Sequence, residues 1–186
     1  MRLMIYEPVS ADARAFIEFW SVRYTGYDDD FYHANAGQEL TEARILALFE
    51  WKNGMKRLSR LKLKSVMTNF VARRHELAQL NDDTAEALLS RFADGGVIWR
   101  IFWLHCWQPE RFPIYDQHVH RAMRCIQAGV KDEIPDKDDE KIRAYIEQYM
   151  PFHARFDGMP QRSVDKALWA FGKFIGENNF PLEPIR

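Results

Sequence analysis

The stretch that decides the fold runs from Asp94 to Arg121. It reads Asp94-Gly95-Gly96-Val97-Ile98-Trp99-Arg100-Ile101-Phe102-Trp103-Leu104-His105-Cys106-Trp107, then a connector holding Pro109 and Pro113, then Tyr115-Asp116-Gln117-His118-Val119-His120-Arg121. The Asp-Gly-Gly triplet predicts a tight turn. Val97 to Trp107 is apolar on nearly every side apart from Arg100 and His105, which predicts a helix buried over most of its surface. The two prolines bracket an extended connection, because proline lacks the amide hydrogen that a helix interior needs. A new helix is expected from near Asp116 to Gly129. Unpaired amides and the positive end of the helix dipole favour a carboxylate at that start, so Asp116 is expected to be ionised.

Working outward, the periodicity is helical along the chain. Residues 1–9 are read as extended, ending at Pro8, and Ser10 as the cap of a first helix with Phe16, Trp20 and Tyr24 on one face. Gly26 to Gly37 is read as a loop. Thr41 is expected to cap a helix striped by Ile45, Leu46, Leu48 and Phe49, which Asn53-Gly54 ends. A long helix is predicted over Ser59 to Leu80, and Asp83 with Glu86 resembles a capping box for another that reaches Phe92. An acidic loop, Asp132 to Glu140, leads to a helix with Ile142, Tyr145, Ile146 and Tyr149. Ser163 is expected to cap the last helix, striped by Val164, Leu168, Phe171 and Ile175. The reading is an all-α chain: one domain over 1–186, or two closely packed helical lobes with a hairpin-helix element, whose motif-bearing core lies at about 84–129.

Composition narrows the function classes. A hydrophobic fraction of 47% excludes a disordered chain. No apolar run reaches the ~18 residues that a membrane span needs. The opening residues lack a charged segment followed by an apolar stretch, so a cytoplasmic location without a signal peptide is expected. Cys106 and Cys125 are expected to be buried thiols. A net charge of −1 excludes a protein that coats nucleic acid, so any DNA contact must come from a local patch. The stretch 52–64 is such a patch: Lys52, Lys56, Arg57, Arg60, Lys62 and Lys64 occur with no acid among them. A solvated helix face is the bland reading of the same run.

The segment around Asp116 resembles the helix-hairpin-helix DNA glycosylases, the superfamily of endonuclease III and 8-oxoguanine glycosylase. Those proteins carry a glycine-rich hairpin, a buried helix, and then Val-Asp-Thr-His-Val-x-Arg. Tyr115-Asp116-Gln117-His118-Val119-His120-Arg121 is similar to the second motif, and Gly96 and Asp116 are twenty residues apart, as the family spaces its last hairpin glycine and its aspartate. The wording from Pro109 to Asp116 looks like divergent bacterial members. The resemblance implies that Asp116 is a catalytic carboxylate that stabilises the cationic sugar formed as a base leaves. It implies duplex DNA as partner, with the target base extruded into a pocket. Members that also cut the strand carry a lysine where Ile98 stands here, followed by Trp99 and Arg100. Arginine is a poor nucleophile, so a monofunctional enzyme that leaves an abasic site is expected.

Around that carboxylate the candidate substrate-binding residues are Trp99, Arg100, Trp103, His118 and Trp169. Candidate DNA contacts are the backbone at Gly95 and Gly96, the basic residues of 52–64, and Arg121. Arg100, buried in an apolar helix, needs a carboxylate partner, with Asp116 one candidate. Trp99 and Trp103 share a helix face, as do Asp165, Trp169 and Lys173; core packing or an amphipathic edge is the plainer reading of each. Asp116-x-His118-x-His120 looks like a metal ligand set, but helical spacing splays the two histidines about 200° apart. No metal or cofactor is therefore expected. The remaining alternative is a protein of this fold that binds DNA or another protein without cutting.

Overall fold

The computed structural model describes residues 12–77, 79–80 and 83–178. The predicted extended start and the Ser10 cap lie outside the described residues. Among those described, every regular element is helical. They are α1 (Ala13–Ser21), α2 (Asp29–Asn35), α3 (Glu42–Lys52), α4 (Arg60–Val66), α5 (Arg74–Leu77), α6 (Ala85–Arg91), α7 (Val97–Trp107), α8 (Gln117–Ala128), α9 (Asp138–Arg143), α10 (Met150–His153) and α11 (Gln161–Glu177).

Local chemistry sets most boundaries. Asp28, Thr41, Ser59, Thr84 and Asp116 each accept a backbone amide in the first turn of the helix that follows, and each such cap contributes about 1 kcal/mol. Gly129 closes α8 in the left-handed conformation. Four expectations are corrected. The expected loop from Gly26 contains α2, which Asp28 caps and Asp29 and Asp30 support at the positive end of the dipole. The cap before α6 is Thr84 rather than Asp83. The last helix begins at Gln161 after Pro160, two residues before Ser163. The expected long helix after Ser59 widens into a π-turn over Met67–Val71 before α5. The wider turn carries both Phe70 and Val71 into the core. A second π-turn, Ala144–Tyr149, joins α9 to α10 and buries Tyr145 and Tyr149.

One continuous apolar core unites these helices. Its centre is α7, whose Ile101, Phe102, Trp103, Leu104 and Cys106 are all at most 1% exposed. Burying each such large side chain contributes roughly 1.5–3 kcal/mol. The most extensive helix packing is of α11 against α8 and α1. Arg162 of α11 ties this group to α2 through both its Nε and Nη2 contacts with Asp29, at 3.0 and 2.6 Å. No helix is long and apolar enough to cross a membrane among the described residues.

His105 resolves the polar interruption of α7. Its Nδ1 lies 2.7 Å from the Phe112 carbonyl, which can only accept, so Nδ1 carries the proton. Nε2 then accepts from the Tyr32 hydroxyl at 2.5 Å, linking α2, α7 and the proline connector. Complete burial lowers the pKa of His105 to about 4. Below about pH 6.5 the unfolded chain takes up a proton that the folded chain refuses. Stability is therefore full above that pH and falls on acidification towards pH 4, by on the order of 3 kcal/mol from this residue. His118 and His120, also lowered by burial, tilt the slope the same way. Urea unfolding at pH 7 and pH 4.5 is expected to show this loss, and His105→Gln to remove its largest part. An unchanged slope in the variant contradicts the assignment.

Candidate active site

Two helix starts and the end of a third meet at one open cavity of about 500 Å³. From α7 come Gly96, Val97, Ile98 and Trp99; from the start of α8 come Asp116, Gln117 and His118; from the end of α3 comes Lys52. Trp169 of α11 and Tyr27 close one side, and Ile134, Asp138 and Lys141 border another. The volume lies within the range typical of small-molecule sites, about 300–1,000 Å³.

Asp116 is the most constrained group there. Its Oδ1 accepts the backbone amides of His118 (2.9 Å) and Val119 (3.2 Å). Its Oδ2 accepts Lys52 Nζ at 2.7 Å. The two side chains are 13% and 14% exposed, so both are largely desolvated while still lining the cavity. Burial pushes the carboxyl pKa up, but the Lys52 charge, its hydrogen bond, nearby His118 and the Val119 amide together hold it below its ordinary value. Asp116 is thus anionic at neutral pH.

Lys52 is a correction to the basic patch. It is not a surface cation awaiting phosphate but the partner of Asp116, and its Nζ also sits 5.7 Å from the Phe102 ring centre. The other five cations, Lys56, Arg57, Arg60, Lys62 and Lys64, are exposed. Lys62 connects them to the cavity: its Nζ bonds Asn53 Oδ1 at 2.7 Å and lies 5.7 Å from the ring of Trp99.

The walls are aromatic. Trp169 meets Tyr24, Tyr27 and His118 edge-on, with ring centres 5.0, 5.6 and 5.0 Å apart. Burial lowers the His118 pKa, leaving the ring neutral near pH 7, and its Nδ1 is buried with no hydrogen-bond partner among the described residues. Gly96 gives α7 no side-chain cap and is exposed at the cavity edge. Gly95 takes a φ of 86° and packs so closely on Phe70 that an added Cβ would lie 3.0 Å from that ring.

Three other candidates stand elsewhere. Trp103 is fully buried against Phe70 and Phe92, so it cannot touch a ligand in the cavity. Arg100 donates to the carbonyl of Leu89 at 2.9 Å and approaches Asp138 at 4.0 Å, so its carboxylate partner is not Asp116. Arg121 is 6% exposed and pairs with Glu133 while donating to the Gly172 carbonyl at 3.0 Å, which makes it a clamp between α8 and α11 rather than a DNA contact. His120 bonds the Tyr115 hydroxyl at 2.8 Å, separate from His118 against Trp169. Among the described residues no three His, Cys, Asp or Glu side chains are grouped to hold a metal ion.

Tyr27, Ile134, Asp138 and Lys141 were not singled out from the sequence. Tyr27 sits in a polar loop, Ile134 in an acidic one, and Asp138 and Lys141 in the short helix α9, whose six residues carry no clear apolar stripe.

Gly172 sets how closely α11 approaches the start of α8. A Cβ there would fall 1.8 Å from the His118 carbonyl oxygen, a backbone atom that cannot step aside. Gly172→Ala is expected to destabilise the fold by about 2–3 kcal/mol, the scale of an overpacked core, read by urea unfolding. Wild-type stability in that variant refutes the contact.

No protein-family model, curated protein or solved structure matches the chain.

Proposed function

We propose that this chain is a monofunctional DNA base glycosylase of the helix-hairpin-helix kind, with Asp116 as its catalytic carboxylate. The observation that carries the reading is an ionised, largely desolvated aspartate on the wall of an open cavity bordered by Tyr27, Trp99 and Trp169. An extruded base is planar and stacks on such rings.

In the proposed reaction the bond between the base and C1′ of the sugar breaks. Positive charge gathers on C1′ and the ring oxygen, and the Asp116 carboxylate opposes it in a poorly solvated site. Water then adds its hydroxyl to C1′, and its proton ends on the departing base. The exposed cations of 56–64 and the first turn of α7 after Gly96 serve as phosphate anchors. Supporting this placement, Lys62 and Trp99 lie together at the cavity edge.

The experiment is a panel of duplexes carrying oxidised, alkylated, deaminated or bulky modified bases, scored for alkali-labile abasic sites. At least one is expected to be processed, and Asp116→Asn is expected to lower the rate by 10²-fold or more, as on the order of 3 kcal/mol of charge stabilisation implies. Undiminished activity in Asp116→Asn defeats the mechanism. Failure of every substrate with duplex binding intact favours a non-catalytic DNA-binding protein.

Lys52 gives the monofunctional reading a sharper test than Ile98 alone. A lysine from α3 stands beside the reacting carboxylate. Held as an ammonium against Asp116, it has no free lone pair with which to attack C1′. Borohydride treatment during turnover is accordingly expected to trap no enzyme–DNA adduct. An adduct that disappears in Lys52→Gln overturns monofunctionality and names the amine.

A further inference from the structure

Asp165 and Trp169, one turn apart on α11, border a second and smaller space. Its volume is about 20 Å³, enough for a single water-sized group, which needs about 10–15 Å³. It adjoins the main cavity, and Tyr27, Lys52 and Trp169 are walls of both. Tyr24 and Trp51 complete an aromatic lining. Asp165 supplies the one carboxyl group among the described residues of that lining, and it is 4% exposed.

A carboxyl group so deeply buried ordinarily has hydrogen-bond donors around it. No described residue donates a hydrogen bond to Asp165. Its Oδ1 is sealed 3.4 Å from His153 Nε2, in a geometry that forms no hydrogen bond. Oδ2 is left as the oxygen that a group in the smaller space can reach. The two cations at its walls are already committed: Lys52 is paired with Asp116, and Arg162 with Asp29. The space therefore offers an acceptor without a matching donor, and positive charge on two sides opposes entry of a third cation. The group that fits is small, neutral and a hydrogen-bond donor.

An extruded base bears such a group where an exocyclic amine projects from its ring. A ring N–H cannot enter without the ring, for which about 20 Å³ leaves no room. An oxo group fits in size but only accepts, so it would set one oxygen against another. We infer that the smaller space selects among extruded bases, with Asp165 accepting a hydrogen bond from the exocyclic amino group of adenine, cytosine or their ring-substituted derivatives. This rests on the glycosylase reading above and names the substrate class of the same site. The base itself lies in the larger cavity, and the amino group projects past the shared walls.

The test measures affinity for four duplexes, with adenine or hypoxanthine in one pair and cytosine or uracil in the other. Each target base sits opposite a tetrahydrofuran abasic analogue, so no base pair must open, and a fluorine at C2′ blocks cleavage. Wild type is expected to bind the amino member of each pair about tenfold more tightly, the scale of one hydrogen bond to a buried carboxyl group. Asp165→Asn, whose amide can present either a donor or an acceptor, is expected to narrow the difference to about twofold, with affinity for a fully paired duplex unchanged. Equal affinity of wild type for both members of both pairs overturns the inference, whether or not the variant folds. A tenfold preference that persists in Asp165→Asn also overturns it. Either result leaves the glycosylase reading to the abasic-site assay, which does not depend on Asp165. Failure of wild type to bind any of the four duplexes overturns the inference together with the reading beneath it.

Discussion

Asp116 is held by two backbone amides at one oxygen and by the Lys52 ammonium at the other, and the geometry of the cavity follows from this. Removing a carboxylate from water costs several kcal/mol, and the loss must be offset locally. The start of α8 supplies part through its amides and dipole, and Lys52 supplies the rest from a helix distant in sequence. That pair therefore joins α3 to α8 at the cavity and sets the angle of the carboxylate. It also leaves Asp116 with little to gain from rotating away, since both oxygens are satisfied where they are.

The scaffold behind this arrangement is rigid for reasons that can be named. Gly172 lets α11 approach the His118 carbonyl, and Gly176 leaves room for the Arg121 guanidinium, which an added Cβ would meet at 2.3 Å. Arg121 in turn bridges Glu133 and the Gly172 carbonyl. Two glycines and one arginine thus register α11 against α8, and that register places Trp169 beside His118. The ring wall and the carboxylate are consequently set by the same contact. A shift in α11 moves both.

How much of this was legible in the sequence depends on the range of the interaction. Asp116 at the start of a helix, Thr41 as a cap, Gly129 as a terminator and α7 as a buried helix were all readable, because each depends on neighbours within a few positions. The π-turns were not, since an extra residue in a turn leaves the apolar stripe nearly intact. Lys52 illustrates the other limit. Its run of basic neighbours suggested phosphate contact, whereas its actual partner lies 64 residues away. Arg100, Arg121 and Trp103 were candidates by residue type, and packing gives each structural partners, which for Trp103 is the plainer reading of the sequence.

In the proposed reaction the Lys52–Asp116 pair acts against itself in a useful way. In the resting site the ammonium neutralises the carboxylate, so a neutral ligand meets little net field. As positive charge grows on the sugar, it competes with Lys52 for the same oxygen, and attraction at a few ångströms is several kcal/mol at an effective dielectric near 20. The carboxylate is drawn from one cation to another without taking up a proton or crossing into water. Stabilisation of this kind is small in the ground state and large in the transition state, which is the difference that accelerates a reaction. A lone desolvated aspartate would bind cations indiscriminately or rise in pKa and lose its charge. Pairing it with Lys52 keeps it anionic and reserves its field for charge that appears only as the bond breaks.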